Sequence, residues 1–186
     1  MNCSMNNIYF TEKFDYDRQA LAEICYKLDR EDRWDGHIPH WWDTNKYTIN
    51  NFTAVSYRYY PDLQDMEPVK TIREQLNFDY LDYKTTQIVK FPANHGPTIH
   101  RDKERSTAIL FPIFTFEEYG PIDFYKDEDT SHWFSVDYSD SMLVFDARQL
   151  HAVTTKNQSR YSLQFDIKEP FSEVYNKYIN GEFFRC

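Results

Sequence analysis

His100 and Asp102, in the stretch TIHRDKE (98–104), place an imidazole and a carboxylate two residues apart. In an extended chain, residues i and i+2 point to the same face, so the two side chains can aim at one point. That is the beginning of a metal site, and it needs a third donor. His151, in ARQLHAVTT, lies on a short segment with apolar neighbours and is the best candidate. Two imidazoles and one carboxylate on one face of an ion leave other positions open, the arrangement used for non-haem Fe(II). Imidazole must be neutral to bind, so affinity should fall at acid pH.

Nine residues beyond His151 comes SRYSLQF, in which Arg160 and Ser162 are again i and i+2. A guanidinium inside a barrel needs a partner, and its planar fork matches a carboxylate through two parallel bonds. No acidic residue offers itself on that strand before Asp166. A carboxylate-bearing cosubstrate is therefore the natural partner of Arg160, with Ser162 adding a hydrogen bond. Each assignment has a plainer competitor. His100 and Asp102 can be a surface pair in a polar loop, His151 a strand histidine bonded to backbone, and Arg160 an ion-pair partner of Asp146 or Asp166.

Lesser candidates surround these. Gln87 and Lys90 lie on opposite faces of one strand, so at most one looks inward; Gln87 is the candidate cosubstrate or substrate contact. Tyr125 and Thr107 are weaker ones. Arg101 and Arg105 stand where they could meet an acidic substrate group, although solvated charge is the default for such residues. His95 falls in the turn ANHGP, and His132 beside Trp133 reads as a surface residue at a strand start. His37 and His40 flank Pro39 next to Trp41 and Trp42, a loop that either packs internally or covers a ligand.

These residues need a scaffold that brings 100, 151 and 160 together. From residue 85 the chain reads as short strands punctuated by polar residues, Pro and Gly: 85–91, 97–101, 106–113, 121–126, 132–137, 141–146, 149–154 and 160–167. Short strands without intervening helices predict an antiparallel barrel or sandwich rather than βαβ units. Before them, DRQALAEICYKLDRE places Leu21, Ile24, Cys25 and Leu28 at helical spacing, and EPVKTIREQL begins a second helix near Pro68 with Val69, Ile72 and Leu76 on one face. NNFTAVSYRYY (50–60) has strand content and is closed by Pro61. PFSEVYNKYING predicts a last helix that stops at Gly181. The expected architecture is mainly β: a jelly-roll core with the N-terminal helices packed on one sheet.

The chain of 186 residues suits one domain with a substantial core, much of it aromatic, since Phe and Tyr number 15 each. A formal charge of −9 argues against sequence-independent nucleic-acid binding, which rests on many Lys/Arg–phosphate contacts. No apolar run approaches the roughly 20 residues that span a bilayer, and the N-terminus MNCSMNNIYF lacks the features of a signal peptide. Cys3, Cys25 and Cys186 are scattered, without metal or redox spacing, and Cys25 reads as a small core residue. The expectation is a cytoplasmic protein whose oligomeric state is open.

The ordered set His100-x-Asp102, then His151, then Arg160-x-Ser162 resembles the Fe(II)/2-oxoglutarate-dependent oxygenases, with their double-stranded β-helix. The resemblance covers residues 85–167; residues 1–84 form an extension that it does not reach, and 168–186 a C-terminal helix. It implies that His100, Asp102 and His151 hold Fe(II), and that Arg160 with Ser162 binds the far carboxylate of 2-oxoglutarate while its keto-acid end chelates the metal. It implies reaction with O2, release of succinate and CO2, and oxidation of an amino-acid or peptide side chain or another small substrate. Asp102 favours hydroxylation, because family halogenases have a small residue at that position. Two rival readings stay open: a cupin-like metal enzyme without 2-oxoglutarate, and a binding module without catalysis.

Overall fold

In a computed structural model, residues 8–31, 34, 56–58, 63–81, 85–91, 93, 99–103, 105–114, 120–127, 129–153 and 157–185 are described. Along the chain these form β1 (Tyr9–Glu12), α1 (Arg18–Arg30), β2 (Ser56–Arg58), a 3-10 turn (Leu63–Asp65), α2 (Glu67–Gln75), β3 (Thr86–Phe91), β4 (Thr107–Pro112), β5 (Ile122–Tyr125), β6 (His132–Val136), β7 (Met142–Asp146), β8 (His151–Val153), β9 (Arg160–Ile167) and α3 (Phe171–Ile179). The strands make two antiparallel sheets, one in the order β1-β7-β4-β9-β3-β2 and a smaller one, β6-β5-β8.

The helices follow from local chemistry. Asp17 caps α1 by accepting the Ala20 amide at 2.9 Å, satisfying one of the donors that a helix start leaves open. Pro68 sits in the first turn of α2, where its missing N–H costs nothing. At the end of α3, Gly181 takes φ +73° while its N–H donates to Tyr178 O and the Glu182 N–H to Lys177 O, at 3.1 and 2.8 Å. That left-handed stop is the reason a glycine stands there.

Strand alternation sorts the core into two layers. On the outer face of the large sheet, Ile109, Phe111, Val144, Leu163 and Phe165 pack with Leu21 and Cys25 of α1, Val69 and Ile72 of α2, and Val174 of α3. Its inner face sends Ala108, Leu110, Leu143 and Phe145 against Ile122, Phe124, Val136 and Val153 of the small sheet. The described helices therefore cover one sheet, as expected, on the side away from the small sheet.

One strand was not foreseen and one expectation is corrected. The N-terminal segment contains a strand, β1, which pairs with β7 (Tyr9 opposite Phe145, Glu12 opposite Met142); at four residues its alternation is too brief to stand out. The segment 97–101 is not a strand among the described residues. It contributes a single bridge, His100 to His151. Of the expected strand 50–60, the described part is Ser56–Arg58, a strand antiparallel to β3.

Candidate metal centre

β8 carries the centre. Phe124 on β5 stands opposite His151, and on its other side His151 exchanges both backbone hydrogen bonds with His100, at 2.9 and 2.8 Å. The Asp102 amide then donates to Ala147 O at 2.8 Å, and the Ala147 amide to Ser106 O at 3.0 Å. A loop that would otherwise be loose is thereby stitched to the turn between β7 and β8. His100, Asp102 and His151 each offer a donor atom, and these atoms lie within 4.8 Å of one another. His100 Nε2 stands 3.8 Å from Asp102 Oδ1, and His151 Nε2 3.9 Å from Asp102 Oδ2.

The electrostatics fit a cation. The His151 ring Nδ1 faces Gln149 O at 2.8 Å; a carbonyl can only accept, so Nδ1 carries the proton and Nε2 is left for a metal. Burial, helped by the nearby His100, pushes the His151 pKa down to about 3, so the ring is neutral at ordinary pH. Burial opposes the charge on Asp102, but Arg105 and the two imidazoles outweigh it and hold the carboxyl below the usual range. One carboxylate and two imidazoles, almost dry, form a donor set that suits a divalent transition metal with open positions.

Alternation along β9 turns Arg160, Ser162, Gln164 and Asp166 inward, since Tyr161, Leu163, Phe165 and Ile167 belong to the outer layer. Arg160 is 1% exposed. Its Nη1 donates to Gly120 O and Pro121 O at 3.2 and 3.4 Å, and its Cζ lies 4.9 Å from the centre of the Tyr138 ring. Ser162 is buried beside it, opposite Val89 of β3 and Pro112 of β4. Asp166 and Asp146, the two acids weighed against it in the sequence, hold contacts with other groups. Asp166 Oδ1 accepts from Arg105 at 2.8 Å, and Asp146 Oδ1 accepts the Arg148 amide at 2.9 Å.

Several candidates take other roles. Arg105 is not a solvated charge: it is largely buried and bridges Asp102 and Asp166. Gln87 faces inward and donates to Asp166 at 3.3 Å, whereas Lys90 faces the helices and pairs with Asp29. Thr107 gives its hydroxyl to Glu169 O at 2.8 Å, on the outer side. Tyr125 stands edge-on to His132. Its neighbours Ile122 and Phe124 point inward, so Tyr125 and the exposed His132 are on the outer face of the small sheet. Arg101 pairs with Asp127 at 3.1 Å. His37, His40, Trp41, Trp42 and His95 lie outside the described residues.

Sequence reasoning missed the Arg105–Asp166 pair and Tyr138. For Asp166 a signal existed: RYSLQFD puts four polar residues on one face of a buried strand, which few core strands tolerate without a purpose.

No family model matches the sequence, and no curated protein matches it either. Solved structures do. A prolyl-4-hydroxylase from Pseudomonas putida matches with a TM-score of 0.58 at 12% identity, over 88% of this chain and 94% of that one. A prolyl hydroxylase from Trichoplax adhaerens, solved with a peptide fragment of the hypoxia inducible factor oxygen degradation domain, matches with a TM-score of 0.61 at 13% identity, over 87% and 84%. At such identities the likeness is one of fold. The fold is the double-stranded β-helix of the 2-oxoglutarate oxygenases. Among the described residues no helix is long and apolar enough to cross a membrane.

Proposed function

We propose that this chain is an Fe(II)- and 2-oxoglutarate-dependent dioxygenase that hydroxylates an amino-acid or peptide side chain or another small substrate. The observation that carries the reading is the convergence of His100, Asp102 and His151 in the oxygenase fold, with Arg160 on the inner face of the same roll. A structural neighbour was solved with a peptide, which supports a peptide or amino-acid substrate here. The scattered cysteines, with Cys25 buried and free, fit the reducing cytoplasm.

In this reading Fe(II) is held by His100, Asp102 and His151. The bound metal supplies activation of O2, coupled to decarboxylation of 2-oxoglutarate to succinate and CO2 and to oxidation of a substrate C–H bond. The chain's own residues do the rest. Gln149 O holds the Nδ1 proton of His151, so that Nε2 binds without first losing one. Arg160, fixed by two carbonyls and the face of Tyr138, binds the far carboxylate of 2-oxoglutarate bidentately, with Ser162 as a further donor. Phe124 and Phe145 pack their rings against His151 and keep water from that side of the centre.

The test is succinate. Protein loaded anaerobically with Fe(II) and 2-oxoglutarate should release succinate slowly on exposure to oxygen, even without substrate. No succinate from the parent, or equal release from parent and His100→Ala, contradicts the proposal.

A further inference from the structure

Asp102 does not sit on a strand. Its loop is fixed by backbone bonds, yet its carboxylate would still be free to rotate about the side-chain bonds. What holds it is Arg105, whose Nε donates to Asp102 Oδ2 at 2.6 Å and whose Nη1 donates to Asp166 Oδ1 at 2.8 Å. Asp166 is held in turn: Gln164 Nε2 donates to Oδ1 at 3.0 Å, and Gln87 Nε2 to Oδ2 at 3.3 Å. Gln87 and Gln164 stand opposite each other on β3 and β9, so the chain of contacts ends on the rigid inner wall of the large sheet. Asp102, Gln87 and Gln164 are buried, and the Arg105 and Asp166 side chains are 16% and 21% exposed.

We infer that Arg105 and Asp166 form a positioning pair that orients the Asp102 carboxylate toward the metal and couples it to the inner wall of the large sheet. The inference rests on the metal site proposed above and deepens it. The choice of residue follows from geometry. A guanidinium is a planar fork with donors at fixed angles, so one Arg can set the plane of one carboxylate while anchored to another. A lysine ammonium is a point charge with freely rotating donors and cannot. The second acid follows from charge. An unaccompanied cation beside Asp102 would repel a metal ion, and Asp166 cancels it, leaving the net charge at the centre to Asp102. Polar partners behind a ligand typically contribute about 10–100-fold to metal affinity.

The test is a calorimetric titration with Mn(II) and Co(II) of the parent, Arg105→Met/Asp166→Asn, Arg105→Lys and, as a control, His151→Ala. The double variant removes one positive and one negative charge together. It does not change the net charge, and Arg105→Lys, which keeps a cation beside Asp102 but not the planar fork, separates loss of orientation from loss of charge. The expected result is binding weakened about 10–100-fold in the double variant and in Arg105→Lys, with a changed Co(II) visible spectrum and a cooperative melt in the absence of metal. A pair that only stabilised the fold would lower the metal-free melting temperature and leave the affinity and the Co(II) spectrum of the folded protein unchanged; that outcome overturns the inference. Should the double variant fail to fold, Arg105→Lys decides alone: parent-like affinity refutes the pair, and weakened affinity with an altered spectrum supports it. If the parent binds no better than His151→Ala, the metal site itself fails and takes the inference with it.

Discussion

His100 and His151 exchange backbone hydrogen bonds at 2.9 and 2.8 Å, and their rings lie 4.3 Å apart at 51°. The two residues are fifty-one positions apart in the sequence, yet one antiparallel bridge fixes both main chains and points both rings to the same side. The proposed metal centre is therefore preformed by backbone pairing, and the carboxylate of Asp102 is added to it from a braced loop. Truncating either ring should remove a ligand without breaking that bridge. In His100→Ala the Mn(II) affinity should fall by more than the roughly 10–100-fold typical of losing a partner behind a ligand, with a metal-free melting curve close to the parent's. Calorimetry and circular dichroism on the same samples check both halves.

Arg160→Leu separates a cosubstrate-dependent enzyme from a metal enzyme that needs none. Losing a charge-assisted bidentate contact costs on the order of 1.5–3 kcal/mol. The apparent KM for 2-oxoglutarate should therefore rise roughly 10–100-fold, while Mn(II) affinity in the absence of 2-oxoglutarate stays at the parent's value. Succinate release against 2-oxoglutarate concentration measures this directly.

His151 makes the metal-free protein sensitive to acid. Its folded pKa, about 3, lies below the ordinary 6.5, so the unfolded chain binds more protons between those values and stability falls as pH falls through that window. The contribution is fully present above pH 6.5 and is lost progressively toward pH 3. Urea denaturation at several pH values should give a slope in this window that His151→Asn reduces. The difference between the two proteins isolates this group from Asp166 and Asp146, whose raised pKa values act in the opposite direction.

Two substitutions should alter stability and spare the centre. Phe165, fully buried with its ring edge-on to Phe111 at 5.9 Å, faces the helices; Phe165→Ala should cost about 3–5 kcal/mol in urea denaturation. Gly181 has φ +73° with nothing within 4 Å of where a Cβ would stand. Gly181→Ala therefore meets backbone strain without a clash and should cost about 1–2 kcal/mol. Metal affinity of the folded fraction should be unchanged in both.

The strands that carry the centre were legible because their signals are local. A histidine among apolar neighbours and RxS on a buried strand depend on two-residue alternation, which β9 keeps, whereas HxD lies on a loop tied to β8 by the single His100–His151 bridge. What stayed hidden depends on contacts between distant segments. β1 is too short to show a period and exists because β7 offers it an edge. Arg105 reads as an ordinary surface charge three residues after Asp102; only the inward turn of Asp166, sixty-one residues later, makes it a buried bridge. Alternation put Gln87 and Lys90 on opposite faces, but which one looks inward, and the bond of Gln87 to Asp166, need the pairing of β3 with β9.

The most direct test of the account is an anaerobic titration of the Fe(II)-loaded protein with 2-oxoglutarate, read in the visible spectrum. A weak charge-transfer band should develop that saturates at one 2-oxoglutarate per chain, is absent in His151→Ala, and needs much higher 2-oxoglutarate in Arg160→Leu. A parent protein that develops no band at saturating Fe(II) and 2-oxoglutarate, or a band that His151→Ala leaves intact, contradicts it.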